Sequence, residues 1–352
     1  MRVLQRQASH SSEEEREKGE EIKKMIRIAL DVMGSDNSPA ADVEGAILAA
    51  REFDYEIVLV GRQDLIEKEF GKHKVIPKNI SILNASEVIG MHEQPVLSVR
   101  RKKQSSIVLL ANLAKEKKVD AIVGAGNTGA LVCAATLKCR LLPGIERAGI
   151  GVVMPTLKGT ALMIDGGANI DAKPKHLLQY AIMGSAYSKY ILNNKSPRVG
   201  LLNIGEEESK GTGFLKEAYG LLELSGLNFI GNVEGRDLFV GDCDVIVCDG
   251  LVGNVALKVS ESTSHAIVEM LKKELRSSFL SRLAALLGKG AFRSLGRIMD
   301  YTEYGGAPLL GINGICIICH GSSSAKAIKN AIRVAGEEII KNVNQHIIEK
   351  VL

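Results

Sequence analysis

Glycine-rich loops that follow strand-like segments carry most of the residues that could do chemistry in this sequence. The segment GAGNTGA (124–130) presents the side chains of Asn127 and Thr128 at the point where a helix begins. Backbone N–H groups at helix starts bind anions, and glycines let a phosphate come close. The segment matches neither the dinucleotide nor the Walker pattern, so an anion site and a tight strand-to-helix turn both remain open.

A second loop of this kind lies in DVIVCDGLVGNVALK (244–258). A strand-like run ends at Asp249, and Gly250 and Gly253 then precede a helical pattern. We expect the two glycines to let a substrate approach the backbone at the end of the strand. Asn254 is expected at the start of the helix, as a cap or as a donor that faces negative charge.

Basic and serine residues lie side by side in the segment RRKKQSS (100–106). Such basic runs are usually solvated or bind acidic partners. Serines at the start of the helix that follows can cap it, and a cap beside cations is a plausible phosphate site. A solvated helix cap is the alternative.

Three further side chains are candidates because of where they stand. Lys173 precedes a proline suited to a first helical turn, Lys210 lies among acids in EEESKGT, and His320 ends a strand-like run. A lone lysine is usually solvated, and a histidine there is usually structural. No obvious nucleophile and no metal-binding pattern occurs, which favours binding and polarising a charged substrate over covalent catalysis.

The elements that must position these residues alternate between strand and helix. This alternation predicts a mostly parallel sheet with helices on both faces and with its loops on one rim. Strands are expected at 26–31, 55–60, 80–84, 120–124, 160–165, 198–204, 244–249 and 314–320. Helices are expected at 41–53, 106–118, 128–138, 175–191, 213–225 and 323–343. We expect one α/β domain over residues 25–352.

Composition excludes several classes of protein. The net charge of +4 over 352 residues is too weak to indicate nucleic acid, and 4% aromatic residues make a base-stacking surface implausible. Cys316 and Cys319 have a CxxC spacing inside a strand-like run, where core cysteines are favoured over zinc or redox chemistry. Residues 1–24 are polar and lack an apolar signal core, so they are expected to be a disordered extension or a frayed helix.

Residues 272–300 interrupt the alternation with an amphipathic helical pattern. Gly288 and Gly290 mark the expected tip of a protruding helical hairpin. Such a hairpin can lie on an anionic membrane surface or pack in a dimer, and both possibilities stay open. The apolar side includes Phe279, Leu280, Leu283, Leu286, Leu287 and Phe292, and the interleaved cations are Arg282, Lys289, Arg293 and Arg297.

Eight motifs, in order and over about residues 25–343, resemble those of the bacterial phosphate acyltransferase (PlsX) family. They are DVMGSDNSP, RRKKQSS, GAGNTGAL, GANIDAKPKHLLQYAIMGS, PRVGLLNIGEEESKG, NFIGNVEGRDLF, CDGLVGNVALK and YGGAPLLGINGICIICHGSS. The chain departs at Asn37, where many relatives have histidine, and at Ser35, where relatives commonly have glycine. Asn37 is therefore not expected to be an essential acid or base.

The resemblance implies a reaction between acyl-[acyl carrier protein] and inorganic phosphate, which gives acyl phosphate and free carrier protein. A glycerol-3-phosphate acyltransferase would consume the product in early phospholipid synthesis. The resemblance also implies a cytoplasmic homodimer, peripherally associated with the inner face of the membrane, with no cofactor. Its fold would be a three-layer α/β/α Rossmann-like one, similar to that of phosphate acetyltransferases and of isocitrate/isopropylmalate dehydrogenases.

The resemblance also suggests site residues. Lys210 in the KG motif and Asn254 in the GN motif are the catalytic candidates. The second-tier candidates are Lys173, Asn203 and His320, the phosphate-binding candidates are Ser105, Ser106, Asn127 and Thr128, and the carrier-protein docking candidates are Arg100, Arg101, Lys102 and Lys103. The alternatives are an enzyme of this fold that uses acyl-coenzyme A and a non-catalytic membrane-associated scaffold of lipid enzymes. A nicotinamide dehydrogenase is disfavoured, because no acid is placed to bind a ribose.

Overall fold

The computed structural model describes residues 25–292, 296 and 304–351. Its centre is an eleven-stranded sheet with the order β3-β2-β1-β4-β11-β10-β5-β6-β9-β7-β8. The strands are β1 (Ile26–Asp31), β2 (Tyr55–Gly61), β3 (Ile80–Asn84), β4 (Ala121–Gly124), β5 (Gly149–Thr156), β6 (Gly159–Ile164), β7 (Val199–Leu202), β8 (Phe229–Val233), β9 (Val245–Val247), β10 (Ala307–Leu310) and β11 (Ile315–Ile318).

Helices cover both faces of the sheet. They are α1 (Ala40–Glu52), α2 (Gln63–Phe70), α3 (Pro95–Arg101), α4 (Ser106–Lys115), α5 (Thr128–Cys139), α6 (Pro174–Tyr190), α7 (Gly213–Glu223), α8 (Gly250–Ser277), α9 (Phe279–Leu287), α10 (Ala325–Ile340) and α11 (Val343–Val351), with a 3₁₀ helix at Gly235–Phe239. The mostly parallel sheet with helices on both faces, predicted from the alternation, and the three-layer α/β/α fold that the resemblance implies are confirmed.

Alternate residues of the strands point to opposite helical layers. Ile28 and Leu30 of β1 pack against α1 and α10, whereas Ala29 packs against α4 and α5. In the same way Val245 faces α6, and Ile246 faces the layer that contains the start of α8. The long apolar runs of these strands follow from their burial on both faces.

Three strands were not anticipated from the sequence. They are β5, β8 and β10, and their sequences GIGVVMPT, FIGNV and APLL contain glycine, proline or asparagine. These residues are depleted in strands and usually signal turns. Tertiary pairing overrides that signal here, because β5 and β10 lie in the middle of the sheet.

The expectation of a single rim of a parallel sheet is wrong in one respect, because the sheet has two halves that run in opposite directions. Strands β3, β2, β1, β4 and β11 are parallel to one another, and so are β6, β9, β7 and β8. Antiparallel pairs of β11 with β10, β10 with β5, and β5 with β6 reverse the direction.

The register nevertheless brings the carboxyl ends of the two halves together. Ile318, the last residue of β11, pairs with Ala307 of β10, and Leu309 of β10 pairs with Ile150 of β5. The next residue of β5 pairs with Ile164, the last residue of β6. The ends of β11 and β6 therefore lie within about one residue, roughly 3 Å, of the same level. The loops of both halves meet over β10 and β5.

The helical excursion differs from the prediction in its start and its turn. A single helix, α8, runs for 28 residues from Gly250, so it begins directly after β9 rather than near residue 272. The chain turns at Ser278, whose hydroxyl accepts a hydrogen bond from the N–H of Ser281 and starts α9. Gly288 ends α9, and residues 289–292 are helical again. The tip expected at Gly288 and Gly290 stays a prediction. The cations Arg293 and Arg297, and residues 1–24, lie outside the described residues.

Candidate active site

A cavity of about 620 Å³ opens where the strand ends of the two halves meet. One face of α8 forms a wall with Asn254, Leu257, Glu261, His265 and Val268. Much of the rest is apolar, and Thr128, Lys258 and His320 add polar groups. The apolar wall is lined by Val152, Met154, Leu157 and Phe239.

The start of α8 packs on the loop 165–169 that follows β6. The N–H of Gly250 donates to the carbonyl of Asn169 at 2.9 Å, and a Cβ on Gly253 would lie 2.0 Å from the carbonyl oxygen of Asp165. Both glycines are buried. Our expectation that they admit a substrate is therefore wrong, because they admit the backbone of the neighbouring loop.

Asn254 is not the cap of α8. The carboxylate of Asp249 caps this helix by accepting hydrogen bonds from the N–H groups of Leu251 and Val252. Asn254 lies one turn further in, half-buried, where a Cβ on Gly167 would lie 3.3 Å from its Cβ. Within the described part of the chain its amide has no hydrogen-bond partner, and it lines the cavity.

Asp165 organises the loop beneath α8. One carboxylate oxygen accepts from the N–H groups of Ile150, Gly167 and Ala168, and the other accepts from the backbone and side chain of Asn169. Burial raises the pKa of this carboxyl, although the backbone N–H donors oppose the rise. Our sequence analysis missed Asp165, although a buried-type strand that ends in Asp-Gly-Gly was the available signal.

Asn127, in the loop before α5, has a structural role that Asn254 of α8 does not have. Asn127 caps α5 by accepting from the N–H of Ala130, and its amide nitrogen donates to the carbonyls of Gly90, Met91 and Glu93. The phosphate contact predicted for the Asn127 side chain is thus not available, because the fold already uses the amide. Thr128 is exposed and lines the cavity.

Ser105 and Ser106 are buried at the start of α4. The hydroxyl of Ser105 donates to the carbonyl of Lys102 and makes no capping bond, so the expected side-chain cap is absent. Ser106 faces Asp31, and in the described residues neither Ser106 Oγ nor Asp31 Oδ2 has a hydrogen-bond partner within bonding distance. Burial raises the pKa of Asp31 to about 6. Neither serine presents its hydroxyl to solvent.

The basic run divides into one structural residue and three exposed ones. Lys102 donates to the carbonyl of Val88 at 2.7 Å and to the carboxylate of Glu93 at 2.6 Å. This contact is the first cause of a Glu93 pKa lowered to about 2. Lys102 therefore ties the 88–93 loop, whereas Arg100, Arg101 and Lys103 are exposed.

Lys210 lies on the loop between β7 and α7. Its side chain is exposed, and its Nζ lies 3.9 Å from a carboxylate oxygen of Glu207. β7 pairs with β9 in parallel, so this loop follows the strand next to the one that precedes α8. Lys210 is not among the residues that line the cavity.

The second-tier candidates have different surroundings. Asn203 is buried, and its side-chain amide bonds to Ile204, Lys210 and Asn232, so the fold commits it to the loop. Lys173 precedes α6 with an exposed side chain. His320 lines the cavity, and its Nδ1 lies 2.7 Å from the hydroxyl of Ser322 and accepts from that residue's N–H.

The cysteines and the metal-ligating residue types add no site. Cys316 and Cys319 are buried free thiols in and directly after β11, as expected of core cysteines. Burial raises the pKa of Cys319 to about 12. Across the parts of the chain that the structure describes, no group of three or more His, Cys, Asp or Glu residues could hold a metal ion. Within those same parts, no helix is long and apolar enough to cross a bilayer.

The fold is shared with a class of phosphate-handling acyl transferases. A phosphotransacetylase from Streptococcus pyogenes aligns with a TM-score of 0.61 at 17% identity over 90% of this chain and 95% of its own. The EutD phosphotransacetylase from Staphylococcus aureus gives a TM-score of 0.59, also at 17% identity, over 90% of this chain and 94% of its own. At this identity the likeness defines the Rossmann-like α/β/α class.

Sequence comparison then identifies the family. The sequence profile described as "Fatty acid synthesis protein" matches residues 26–346. The phosphate acyltransferase of Pelobacter propionicus is 50% identical over 92% of this chain and 94% of its own, and that of Heliobacterium modesticaldum is 50% identical over 93% and 99%. The chain belongs to the phosphate acyltransferase (PlsX) family, and the predicted resemblance is confirmed. It is an acyltransferase, an enzyme that uses phosphate and an acyl donor.

Proposed function

We propose that this enzyme transfers a long-chain acyl group from acyl-[acyl carrier protein] to inorganic phosphate. The products would be an acyl phosphate and the free carrier protein. A glycerol-3-phosphate acyltransferase would then use the acyl phosphate in early phospholipid synthesis. The cavity carries the proposal, because it joins a long apolar wall to the available amide of Asn254.

The reaction needs an anion site and a donor for a developing oxyanion. An oxygen of phosphate attacks the thioester carbonyl, and the tetrahedral intermediate breaks its C–S bond to release the carrier thiolate. In our proposal Asn254 donates to the oxyanion, while Lys210 and Thr128 hold phosphate. A thiolate leaves readily, so no protein nucleophile or dedicated general acid is required. His320 and Lys173 remain secondary candidates.

The shape of the cavity supports a long acyl chain. Its α8 wall extends from Asn254 to Val268, which is roughly 21 Å along a helix that rises 1.5 Å per residue. A short acyl group would leave most of this wall uncovered. We therefore favour long-chain substrates over the two-carbon group that the name phosphotransacetylase gives to the structural neighbours.

The carrier protein is acidic, so the basic run at residues 100–103 is a candidate surface for docking it. Exposed Arg100, Arg101 and Lys103 are suited to dock it, and electrostatic complementarity of this kind mainly raises the association rate. Lys102 is withdrawn from that set, because it is bonded to Glu93.

The exposed apolar surface of α8 and α9 supports a homodimer or a membrane contact. Leu251, Val255 and Val259 recur at a spacing of four along α8, and each is more than half exposed. The predicted membrane residues Phe279, Leu283, Leu286, Leu287 and Phe292 lie further along and are exposed by 80%, 44%, 66%, 80% and 36%. We propose a cytoplasmic homodimer whose tips meet the inner face of the membrane.

A vesicle-flotation assay separates these two roles. The double variant Leu286→Glu/Leu287→Glu should lose flotation with anionic vesicles and keep the sedimentation coefficient of a dimer. Unchanged flotation would reject the membrane contact. A monomeric wild type would reject the dimer.

The decisive assay measures phosphate-dependent release of carrier thiol from a long-chain acyl carrier protein. We expect release that depends on phosphate and is lost in Lys210→Ala and in Asn254→Ala while both remain folded. Faster release from an acyl-coenzyme A would favour the enzyme of this fold that uses coenzyme A. Absence of release from either thioester would reject the proposed reaction.

A further inference from the structure

The loop that carries Lys210 is polar and exposed, yet two buried amides hold it from below. The loop spans residues 203–212, between β7 and α7, and the residues from Glu206 to Lys210 are all exposed. Asn203 at its start is 9% exposed, and Asn232 on the neighbouring strand β8 is 6% exposed. A loop without an apolar anchor needs polar contacts to keep one conformation.

The two amides reach the backbone of the loop at two points. The Nδ2 of Asn232 donates to the carbonyl of Glu207 at 3.0 Å. The Nδ2 of Asn203 donates to the carbonyl of Lys210 at 3.3 Å and to the Oδ1 of Asn232 at 3.2 Å. The N–H of Lys210 completes the arrangement by donating to the carbonyl of Glu207 at 3.0 Å. Asn232 therefore contacts both the other amide and the loop.

Two glycines shape the loop around this contact. Gly211 has a φ of +84°, and a Cβ there would lie 2.6 Å from the Oδ1 of Asn203. A Cβ on Gly205 would lie 2.9 Å from the Cγ of Lys210. The stem of Lys210 thus folds over Gly205, while Gly211 lets the chain pass close to the Asn203 amide.

Burying two amides is costly unless their donors and acceptors are bonded. Here the Nδ2 and the Oδ1 of both side chains each make at least one hydrogen bond. Among the described residues, the side-chain bonds of Asn232 reach only Asn203 and the loop backbone. Its contribution is therefore directed at the position of this loop.

We propose that Asn232, together with Asn203, is a positioning residue that fixes Lys210 for catalysis. This inference rests on the role of Lys210 in the proposed function. Asn232 acts through the loop and touches no reacting atom, so it sets where the ammonium group stands relative to the start of α8.

The test replaces Asn232 with threonine, which suits a strand but cannot reach the carbonyl of Glu207. Asn79→Thr is the matched control, because its Nδ2 also donates to main-chain carbonyls, those of Ala50 and Tyr55, beside the distant strand β3. The measurement is kcat/KM for phosphate-dependent thiol release, with the melting temperature of each variant. We expect Asn232→Thr to lower kcat/KM by about 10- to 100-fold, since a misplacement of about 1 Å can cost about a hundredfold. Asn79→Thr should stay within about twofold of wild type in kcat/KM.

A second comparison separates positioning from general loss of structure. In the Lys210→Ala background, Asn232→Thr should change kcat/KM by less than about twofold, because residues that act as a unit are not additive. Equal losses in both backgrounds, or an unchanged kcat/KM in the single variant, would overturn the inference. If Asn232→Thr does not fold, Asn232→Ala takes its place and is judged by the same criteria. If neither variant folds, Gly211→Ala is used instead, because it disturbs the Asn203 amide from the other side.

Failure of the inference is distinguishable from failure of the proposed function. If Lys210→Ala retains wild-type kcat/KM, the assigned role of Lys210 is wrong, and the inference falls with it. If Lys210→Ala loses activity while Asn232→Thr matches Asn79→Thr, only the positioning role is rejected.

Discussion

The starts of α5 and α8 look alike in sequence and differ in what their asparagines do. Each helix follows a buried strand, and glycines lie in the loop before α5 and in the first turn of α8. Asn127 directly precedes the first turn of α5, and the fold uses its oxygen as a cap and its nitrogen to hold three carbonyls. Asn254 lies one turn inside α8, where Asp249 is already the cap, so its amide remains available to the cavity. A shift of one helical turn separates an amide that stabilises the fold from one that can serve a ligand.

The same contrast holds for the carboxylates beneath the two helices. Asp165, under α8, has hydrogen-bond donors on both oxygens. Asp31 lies under the α5 loop, where a Cβ on Gly126 would be 3.4 Å from its Oδ2. Its Oδ1 accepts from the N–H of Met33, but its Oδ2 has no partner within the described ranges. Both carboxylates are buried, but Asp165 organises its loop, whereas Asp31 has an oxygen without a partner among the described residues.

The largest expected effect is on Asn254. Asn254→Ala should lower kcat by about 100- to 1000-fold, or roughly 3–4 kcal/mol of transition-state stabilisation, because it removes the proposed oxyanion donor. Its melting temperature should stay within about 2 °C of wild type, since the amide bonds to nothing in the described fold. Turnover near that of wild type in a folded variant would break the contrast with Asn127.

The next effect compares the two carboxylates by the same substitution. Asp165→Asn should lower the free energy of unfolding by about 3 kcal/mol, because its amide nitrogen would face N–H donors that need an acceptor. Asp31→Asn should raise this free energy above pH 6, as its carboxyl has a pKa near 6 when folded and 3.8 ordinarily. Denaturant titrations of both variants at pH 4.5 and pH 7.5 provide the measurement.

The sign for Asp31 follows from proton binding. A carboxyl whose pKa is raised by folding holds its proton more tightly when folded, so the wild type loses stability as pH rises from about 4 through 6. Asparagine removes this loss, which amounts to roughly 3 kcal/mol at pH 7.5. An Asp31→Asn variant with the same pH dependence as wild type would contradict the assignment.

A smaller effect is expected at Asn127. Asn127→Ala should lower the free energy of unfolding by about 2 kcal/mol, because it removes a helix cap and leaves backbone carbonyls without their donor. Once folded, the variant should keep kcat within about threefold of wild type. Equilibrium unfolding in urea, with turnover measured on the same preparation, compares it directly with Asn254→Ala. A loss of kcat as large as that of Asn254→Ala would mean that Asn127 also has a role in catalysis, and would contradict the contrast between the two asparagines.

The smallest effect is expected at Thr128. Thr128→Val keeps the size of the side chain and removes one exposed hydroxyl at the cavity, so KM for phosphate should rise about five- to tenfold, or roughly 1 kcal/mol. Stability should not change measurably, because the residue is exposed. Initial rates over a range of phosphate concentrations give the KM, and Thr136→Val, further along α5 and away from the cavity, is the control. An unchanged KM would remove Thr128 from the phosphate site.

Sequence reasoning recovered the strands whose apolar residues are continuous, such as β1 and β4, because burial on both faces leaves an unbroken pattern. It did not recover β5 or β10, whose glycine and proline signal turns unless the pairing partners are known. It also could not reveal the reversal of direction between the halves, since antiparallel pairing at the centre depends on distant segments.

The candidate site divides in the same way. Asn254 was selected through its motif, and spacing alone could not distinguish it from Asn127, because the partners of Asn127 lie more than thirty residues earlier in the chain. The sequence could not distinguish Lys102 from its exposed basic neighbours, because its ion pair with Glu93 appears only in the folded chain. Gly253 was expected to leave space for a substrate, but the carbonyl of Asp165 occupies that space in the structure.

The long α8 helix has a mechanical consequence. Its first turns are pressed by Gly253 against the Asp165 loop, so a tilt of the helix pivots there. Ser277 lies about 36 Å from the pivot and Asn254 only about 1.5 Å, so a movement of roughly 5 Å at the far end shifts Asn254 by about 0.2 Å. The same tilt would shift Val268, in the α8 wall of the cavity, by about 3 Å. If Asn254 has its proposed role, a contact at the far end of α8 would change the width of the cavity and leave the position of the Asn254 amide almost unchanged.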